Sequence, residues 1–300
     1  MNERKWIRRS LRKVAEALRA AGFSVSHMTV ARLLKQAGYS LKGNRKRLAP
    51  SSPQRDRQFR YLSWVRECFE RAGHPVISVD TKKKELIGNF KNAGQVWCQE
   101  PEAVNIHDFL KDARGRAVPY GVYDPRHNQG YVVVGNSRET AALAVDAIVA
   151  WWKNPQRPSF PDERRLLILC DGGGGNGYRS RLWKVCLQNR VADALQLEVV
   201  VCHYPTGASK WNPIEHRLFS AISRNWAGQP LLTFQTLLEY IRHTTNATGL
   251  SVQATLMDKV YHTGIQVSDQ VMRTLNMEHS LICPHWNYII KPRQQSPGNT

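Results

Sequence analysis

VPYGVYDPRHNQGYVVVG, residues 118–135, decides the fold. Two runs rich in β-branched and aromatic residues, 118–124 and 131–135, flank the turn-forming stretch PRHNQG, and the pattern predicts an antiparallel hairpin. Upstream, PVISVD (75–80) is a further short strand that ends in an acid. Downstream, residues 137–153 have helical spacing, with Leu143, Ala147, Ile148 and Trp151 on one side. LLILCD (166–171) is almost continuously apolar, as expected of a strand covered on both faces. Helical spacing returns over 178–195 through Leu182, Val185, Leu187 and Ala194, and LEVVVC (197–202) is another buried strand. Asn212 and Pro213 then read as the N-cap and first residue of the next helix. Purely alternating strand–helix units would not begin with a hairpin. The order three strands, helix, strand, helix, strand, helix predicts an α/β fold: an RNase H-like mixed sheet flanked by helices over 74–300, with 85–117 inserted after the first strand.

A small all-α module is expected to precede it. In SLRKVAEALRAA (10–21), Leu11, Val14, Ala15 and Leu18 fall on one helical face, and Gly22 is placed to end the helix. Ser26 suits the N-cap of a second helix, in which Val30, Leu33, Leu34 and Ala37 repeat the spacing before Gly38. Two short helices joined by a tight turn over residues 1–48 read as a helix-turn-helix, whose second helix would present His27, Thr29, Arg32 and Lys35 to a major groove. The same spacing is compatible with a plain helical hairpin bearing a basic face. KGNRKR (42–47) brings Arg45, Lys46 and Arg47 and suits contact with phosphates. APSSP (49–53) reads as a linker, and a connecting helix over about 54–72, with the stripe Phe59, Leu62, Val65 and Phe69, completes a linking segment at 49–73.

Charge points to the partner. The 300 residues hold 43 Lys and Arg against 24 Asp and Glu, a formal +19. Sixteen basic and three acidic residues fall in the first 60. A polyanion is the natural partner of such a chain, and double-stranded DNA fits the helical module. No apolar run approaches the roughly 20 residues that span a bilayer, so no membrane partner is expected. MNERKWIRRS lacks the apolar centre of a secretory signal, and a cytoplasmic location is expected. Six scattered cysteines without a CxxC pair predict reduced thiols rather than a disulfide framework. Cys202-His203 and Cys283-x-His285 lack the spacing of a closed zinc site.

The candidate chemistry lies in three acids. Asp80 ends the first strand, Asp171 ends the fourth, and Glu215 sits in the first turn of a later helix. If the two strands are neighbours, these carboxylates converge at one end of the sheet and form a hard oxygen site suited to Mg²⁺, with Mn²⁺ as a substitute. Two such ions, about 3.5–4 Å apart, can activate an attacking oxygen and stabilise the leaving one. Each acid also has a structural explanation, as a turn residue or as a partner of a helix dipole. CDGGGGNGY (170–178) carries a second possibility, because Gly172, Gly174 and Gly177 match G-x-G-x-x-G between a strand and a helix. Asp171 would press against a pyrophosphate, and the acid expected at the end of the next strand is missing. No nucleotide cofactor is therefore expected, and the glycines are expected to keep the backbone slim where DNA approaches. Lys82, Lys83 and Lys84 follow the first acid, either as phosphate grips or as a solvated run; Lys82 and Lys210 are taken as DNA contacts. Trp211 could stack on a base or pack internally.

VISVDTKKKELIGNFKNAG (76–94), YGVYD (120–124), LLILCDGGGGNGYRSRLWK (166–184) and CHYPTGASKWNPIEHRLFS (202–220) closely resemble the Rhodopirellula-type DDE transposases of bacterial insertion sequences. The resemblance runs from about residue 10 to Tyr288. It implies Mg²⁺-dependent cleavage at element ends and attack of the freed 3′ hydroxyl on target DNA, by a homo-oligomer assembled on DNA. It also implies that Asp80, Asp171 and Glu215 are the catalytic, metal-holding acids. Members of the family usually carry more sequence before the segment matching SLRKVAEAL, so a copy truncated at its DNA-recognition end is expected. A non-transposing nuclease on the same fold and a non-enzymatic DNA-binding regulator are the alternatives.

Overall fold

The computed structural model describes residues 9–41, 53–106 and 110–294. Arg45, Lys46 and Arg47 lie outside the described residues. The chain divides into two compact units, Met1–Ala49 and Pro50–Thr300.

In the first unit, α1 (Leu11–Ala20) starts at Ser10, whose Oγ accepts from the Lys13 amide, and α2 (His27–Gln36) starts at Ser26, which accepts from the Thr29 amide. Gly22 (φ 91°) and Gly38 (φ 79°) hold the left-handed conformation that turns the chain out of each helix. Ala15 and Val30 are buried, whereas Leu33 stays largely exposed, so the predicted apolar stripes are only partly covered.

The second unit is built on one nine-stranded sheet. After α3 (Pro53–Ala72) come β1 (Val76–Thr81), β2 (Glu85–Ile87), β3 (Gly115–Asp124), β4 (Gln129–Gly135), α4 (Ala141–Trp152), β5 (Arg165–Cys170), α5 (Arg181–Leu187) and β6 (Glu198–His203). A π-helical segment Glu215–Phe219 then runs into α6 (Ser220–Asn225), followed by α7 (Phe234–Arg242), β7 (Ser251–Met257), α8 (Asp269–Arg273), β8 (Met277–His279) and β9 (Asn287–Ile290). The strand order is β7-β4-β3-β1-β5-β6-β9-β8, with β2 paired to β3 outside this path. β1–β3 and β3–β4 are antiparallel, while β1–β5, β5–β6 and β4–β7 are parallel. The central order β4-β3-β1-β5-β6, three antiparallel strands followed by two joined through crossover helices, is the RNase H-like arrangement.

Both faces are covered, which explains the unbroken apolar runs. On one face, Leu143, Ile148 and Trp151 of α4 and Trp183 and Leu187 of α5 pack on Ile77, Val79, Ile168 and Val201. On the other, Ile214, Leu218, Phe219, Leu237 and Ile241 cover β3, β4 and β7. Beside them, Leu62, Val65 and Phe69 of α3 cover Leu167, Leu169 and Val200. The helix expected to act as a connection is thus part of the core of the larger unit. The buried Gln58 donates to Asn287 Oδ1 (2.7 Å) and to the His203 carbonyl (2.9 Å), and Asn287 donates back to Gln58 Oε1 (2.6 Å), which fastens α3 to β6 and β9.

Several boundaries differ from the sequence reading. Part of the 85–117 insertion is sheet: β2 occupies 85–87 and β3 begins at Gly115. α4 starts at Ala141 because the Thr140 hydroxyl accepts from the Leu143 amide. The helix expected over 178–195 is capped by Ser180 and changes to π-helical winding at Gln188–Asp193. The strands β7, β8 and β9 extend the sheet beyond the predicted core. Among the described residues, no helix is long and apolar enough to cross a membrane.

Candidate active site

The parallel pairing of β1 with β5 places Val79 opposite Cys170, so the next residues, Asp80 and Asp171, emerge side by side. Glu215 is carried on the π-helical turn, whose Leu218 and Phe219 pack over β3 and β4. Two strand glycines allow that turn to press against the sheet. A Cβ on Gly121 would lie 2.6 Å from the Phe219 ring and 2.8 Å from Ile214, and one on Gly130 would lie 2.5 Å from Leu218. Gly121 is also the β3 partner of Asp80, so this close approach is made where the acids meet.

The three acids feel one another strongly. Asp80 is pushed up to about 8, first by burial and then by the charge of Asp171, with Glu215 adding to both the repulsion and the hydrogen bonding. The Thr81 amide, 2.7 Å from Asp80 Oδ1, works in the opposite direction. Asp171 is also raised by burial and by Glu215, while the hydrogen bond from Asn212 lowers it. Uncompensated carboxylates gathered at the end of a sheet are a hard-oxygen donor set, and a divalent cation would relieve both their repulsion and their desolvation. Among the described residues, no three His, Cys, Asp or Glu side chains close around a common point. The acids form an open cluster rather than a closed ligand shell.

A buried polar network fixes two of the acids, and sequence reasoning missed its role. Asn212 occupies the N-cap position, yet its side chain leaves the helix. Its amide donates to Asp171 Oδ1 (3.1 Å) and toward the Val79 carbonyl (3.4 Å), while its oxygen accepts from the Ser78 hydroxyl. Ser78 in turn accepts from the Ile214 amide (3.2 Å) and so takes over the capping of the helix that carries Glu215. Both side chains are fully buried. The Asn-Pro pair signalled a cap, but nothing in it indicated that the amide faces an acid.

The glycine loop does not form a cofactor cradle. After Asp171 it makes a short 3-10 turn, Gly174–Asn176, and α5 begins only at Arg181. No helix N-terminus is therefore presented by the glycines, and the dinucleotide fingerprint loses its structural context. A Cβ on Gly175 would lie 2.9 Å from the Thr140 carbonyl, so that glycine lets the loop lie against the start of α4; at Gly173 the space is open. Asn176, fully buried, donates to the Asp171 carbonyl (3.3 Å), and its own carbonyl is 2.9 Å from His203 Nε2.

The expected DNA contacts have different fates. Lys82 is corrected: it is only 6% exposed, pairs with Glu85 at 2.6 Å and lies 4.5 Å from the Trp226 ring, so its ammonium is committed inside the protein. Lys210 is exposed and lies over the Trp211 ring at 4.1 Å. Trp211 packs against Phe59, with centroids 5.4 Å apart, while remaining 42% exposed. His27, Arg32 and Lys35 are exposed on α2 and Thr29 is partly buried there, in the separate first unit. Cys170, Cys186, Cys202 and Cys283 are buried free thiols, and Cys68 and Cys98 are exposed ones.

The family model described as the Rhodopirellula transposase DDE domain matches residues 1–292. No curated protein sequence matches the chain. Among solved structures, the chain is similar to the Mos1 transposase paired-end complex with left transposon end, at 16% identity and a TM-score of 0.44, over 78% of this chain and 65% of that one. It is similar to the Mos1 strand transfer complex at 17% identity and a TM-score of 0.45, over 78% and 64%. The chain thus spans slightly less than two thirds of the length of these structures.

Proposed function

Because the chain belongs to the Rhodopirellula transposase DDE-domain family, we propose that it is the transposase of an insertion sequence, cutting DNA at the element's ends and joining the freed 3′ hydroxyl to target DNA. The observation that carries this reading is the meeting of Asp80, Asp171 and Glu215 at the end of β1 and β5, with Asp80 held near 8 by burial and by its two acidic neighbours. These three side chains would hold Mg²⁺, or Mn²⁺ in its place, most simply as a pair of ions. The ions would polarise the scissile phosphate and lower the pKa of an attacking water or hydroxyl.

The chain's own residues set the conditions for that chemistry. Asn212 holds Asp171 by one of its two carboxylate oxygens. Ser78 and Asn212 together couple the helix bearing Glu215 to the strand bearing Asp80. Burial keeps water scarce around Asp80, which strengthens any charge interaction made there. The α2 face with His27, Thr29, Arg32 and Lys35 is proposed to read duplex DNA, and Lys210 to meet its backbone. Cutting two element ends requires two such centres, so a homo-oligomer on DNA belongs to the same proposal.

The test uses a duplex of the inverted repeats that flank the reading frame. Asp171→Ala should abolish Mg²⁺-dependent cleavage while DNA binding persists. Unchanged cleavage by that variant would sink the assignment of the acids. Cleavage without joined products in the unsubstituted chain would identify a nuclease instead of a transposase.

A further inference from the structure

Beside the acids lies a groove of about 470 Å³ lined by Thr81, Lys83, Lys84, Leu86, Leu110 and Arg116, together with Lys82, Glu85 and Glu139. It begins at the residue after Asp80, where β1 ends. Its walls come from the corner at which residues 82–84 join β1 to β2, and from the first residues of β3. Leu86 is the strand partner of Arg116, so the corner and Arg116 are held in fixed register. The Lys82 amide continues the ladder to the Pro119 carbonyl at 2.9 Å, and the buried Lys82–Glu85 pair against Trp226 stiffens the corner from beneath.

The charges in this groove do not cancel. Glu85 is matched by Lys82 at 2.6 Å and Glu139 by Lys84 at 2.9 Å. Lys83 and Arg116 are exposed, and neither side chain has an ion pair or hydrogen bond among the described residues. The Thr81 hydroxyl is buried with no partner. Two cations without counter-ions among the described residues and an unpartnered hydroxyl, set next to an acid cluster, make a site for one compact anion. Leu86 and Leu110 supply an apolar wall on which a sugar can rest.

The geometry points to a phosphodiester site in this groove, where Lys83 and Arg116 hold the DNA phosphate next to the one that is cut. The proposal rests on the DNA-cleaving reading above and adds a direction of strand passage, from the acids along the β2–β3 corner. The guanidinium fork of Arg116 suits two oxygens of one phosphate, and Lys83 adds a mobile point charge. Both are positioning residues: they set where the strand lies and do not take part in bond making.

The experiment is a cycle between protein and DNA, carried out on the full chain by fluorescence anisotropy without divalent ions. The probes are element-end duplexes in which single phosphates around the scissile position are replaced one at a time by a neutral methylphosphonate. In the unsubstituted chain, neutralising the neighbouring phosphate should weaken binding about tenfold, of the order of one charge-assisted contact. In a Lys83→Ala, Arg116→Ala variant the same change should cost less than about twofold, and the salt slope of binding should fall by about 0.7–0.9 for the one phosphate no longer neutralised. Restoration of the penalty in Lys83→Arg, Arg116→Lys would show that charge, not fold, is responsible. An equal penalty in both proteins, or no penalty at any phosphate beside the scissile one, overturns the groove. A penalty that behaves as expected in a protein that never cleaves with Mg²⁺ leaves the groove standing and removes the cleavage reading instead.

Discussion

Gly121 stands directly across the β1–β3 ladder from Asp80, and the space where its Cβ would lie is filled by Phe219, 2.6 Å away. The helix that carries Glu215 is therefore seated on a strand position that tolerates no side chain. Gly121→Ala should push that helix outward at a cost of about 1–3 kcal/mol, as overpacking does in a filled core. Displacement of Glu215 by even about 1 Å should lower metal-dependent cleavage about a hundredfold. Thermal melts beside cleavage rates check it; a normal rate with a lowered Tm would separate the packing from the chemistry.

Asn212→Ala should weaken the site without removing an acid. It leaves the Ser78 hydroxyl and one oxygen of Asp171 unsatisfied, at about 1–3 kcal/mol. The loss of this support should raise the Mg²⁺ concentration for half-maximal cleavage about 10–100-fold. Titration of cleavage against Mg²⁺ reads it, and an unchanged midpoint would show that Asp171 needs no such tether.

The raised Asp80 gives a pH dependence whose sign is fixed. An acid with a higher pKa in the folded than in the unfolded state favours the folded protein when protonated. That contribution is complete below the ordinary value of 3.8 and is lost as pH rises toward about 8. The metal-free protein should therefore lose several degrees of Tm between pH 5 and pH 8, and Asp80→Asn should flatten the fall. Saturating Mg²⁺ should restore Tm at pH 8 in the unsubstituted chain only. A metal-free Tm that rises over this range in the unsubstituted chain relative to Asp80→Asn would contradict the electrostatics described for the cluster.

Neighbouring lysines should behave differently. Lys82→Ala strands Glu85 in a largely buried position and should cost about 3 kcal/mol. Lys83→Ala, one residue on and exposed, should leave Tm within about a degree, as surface changes away from such features do. Differential scanning calorimetry of the two variants decides this. Equal Tm values would mean that the Lys82 pair contributes nothing.

These contrasts show what the sequence could convey. LLILCD and LEVVVC were legible because strands covered on both faces have an unmistakable composition, and the strand-terminal position of Asp80 and Asp171 followed from it. Glu215 followed from the Asn-Pro start of its helix, and the resemblance of the motif blocks made its role specific. Lysine order within a charge run carries no sign of which ammonium turns inward, and Lys82 was misplaced for that reason. Asn212 satisfies cap statistics whichever way its amide points. The π-helical turns at 188–193 and 215–219 break the 3.6-residue period on which helix reading depends. β2 and β8, at three residues each, are shorter than any periodic signal, and their pairing is set by distant partners.

The reciprocal amides of Gln58 and Asn287 also impose an order in time. They lie 229 residues apart, and each is buried when the other satisfies it. A ribosome adding about 5–20 residues per second needs roughly 10–45 s to cover that separation. Through that interval α3 has no completed seat, and Asp80, Asp171 and Glu215 are all added to the chain within it. Docking of α3 is thus deferred until the strand β9, which carries Asn287, has been made.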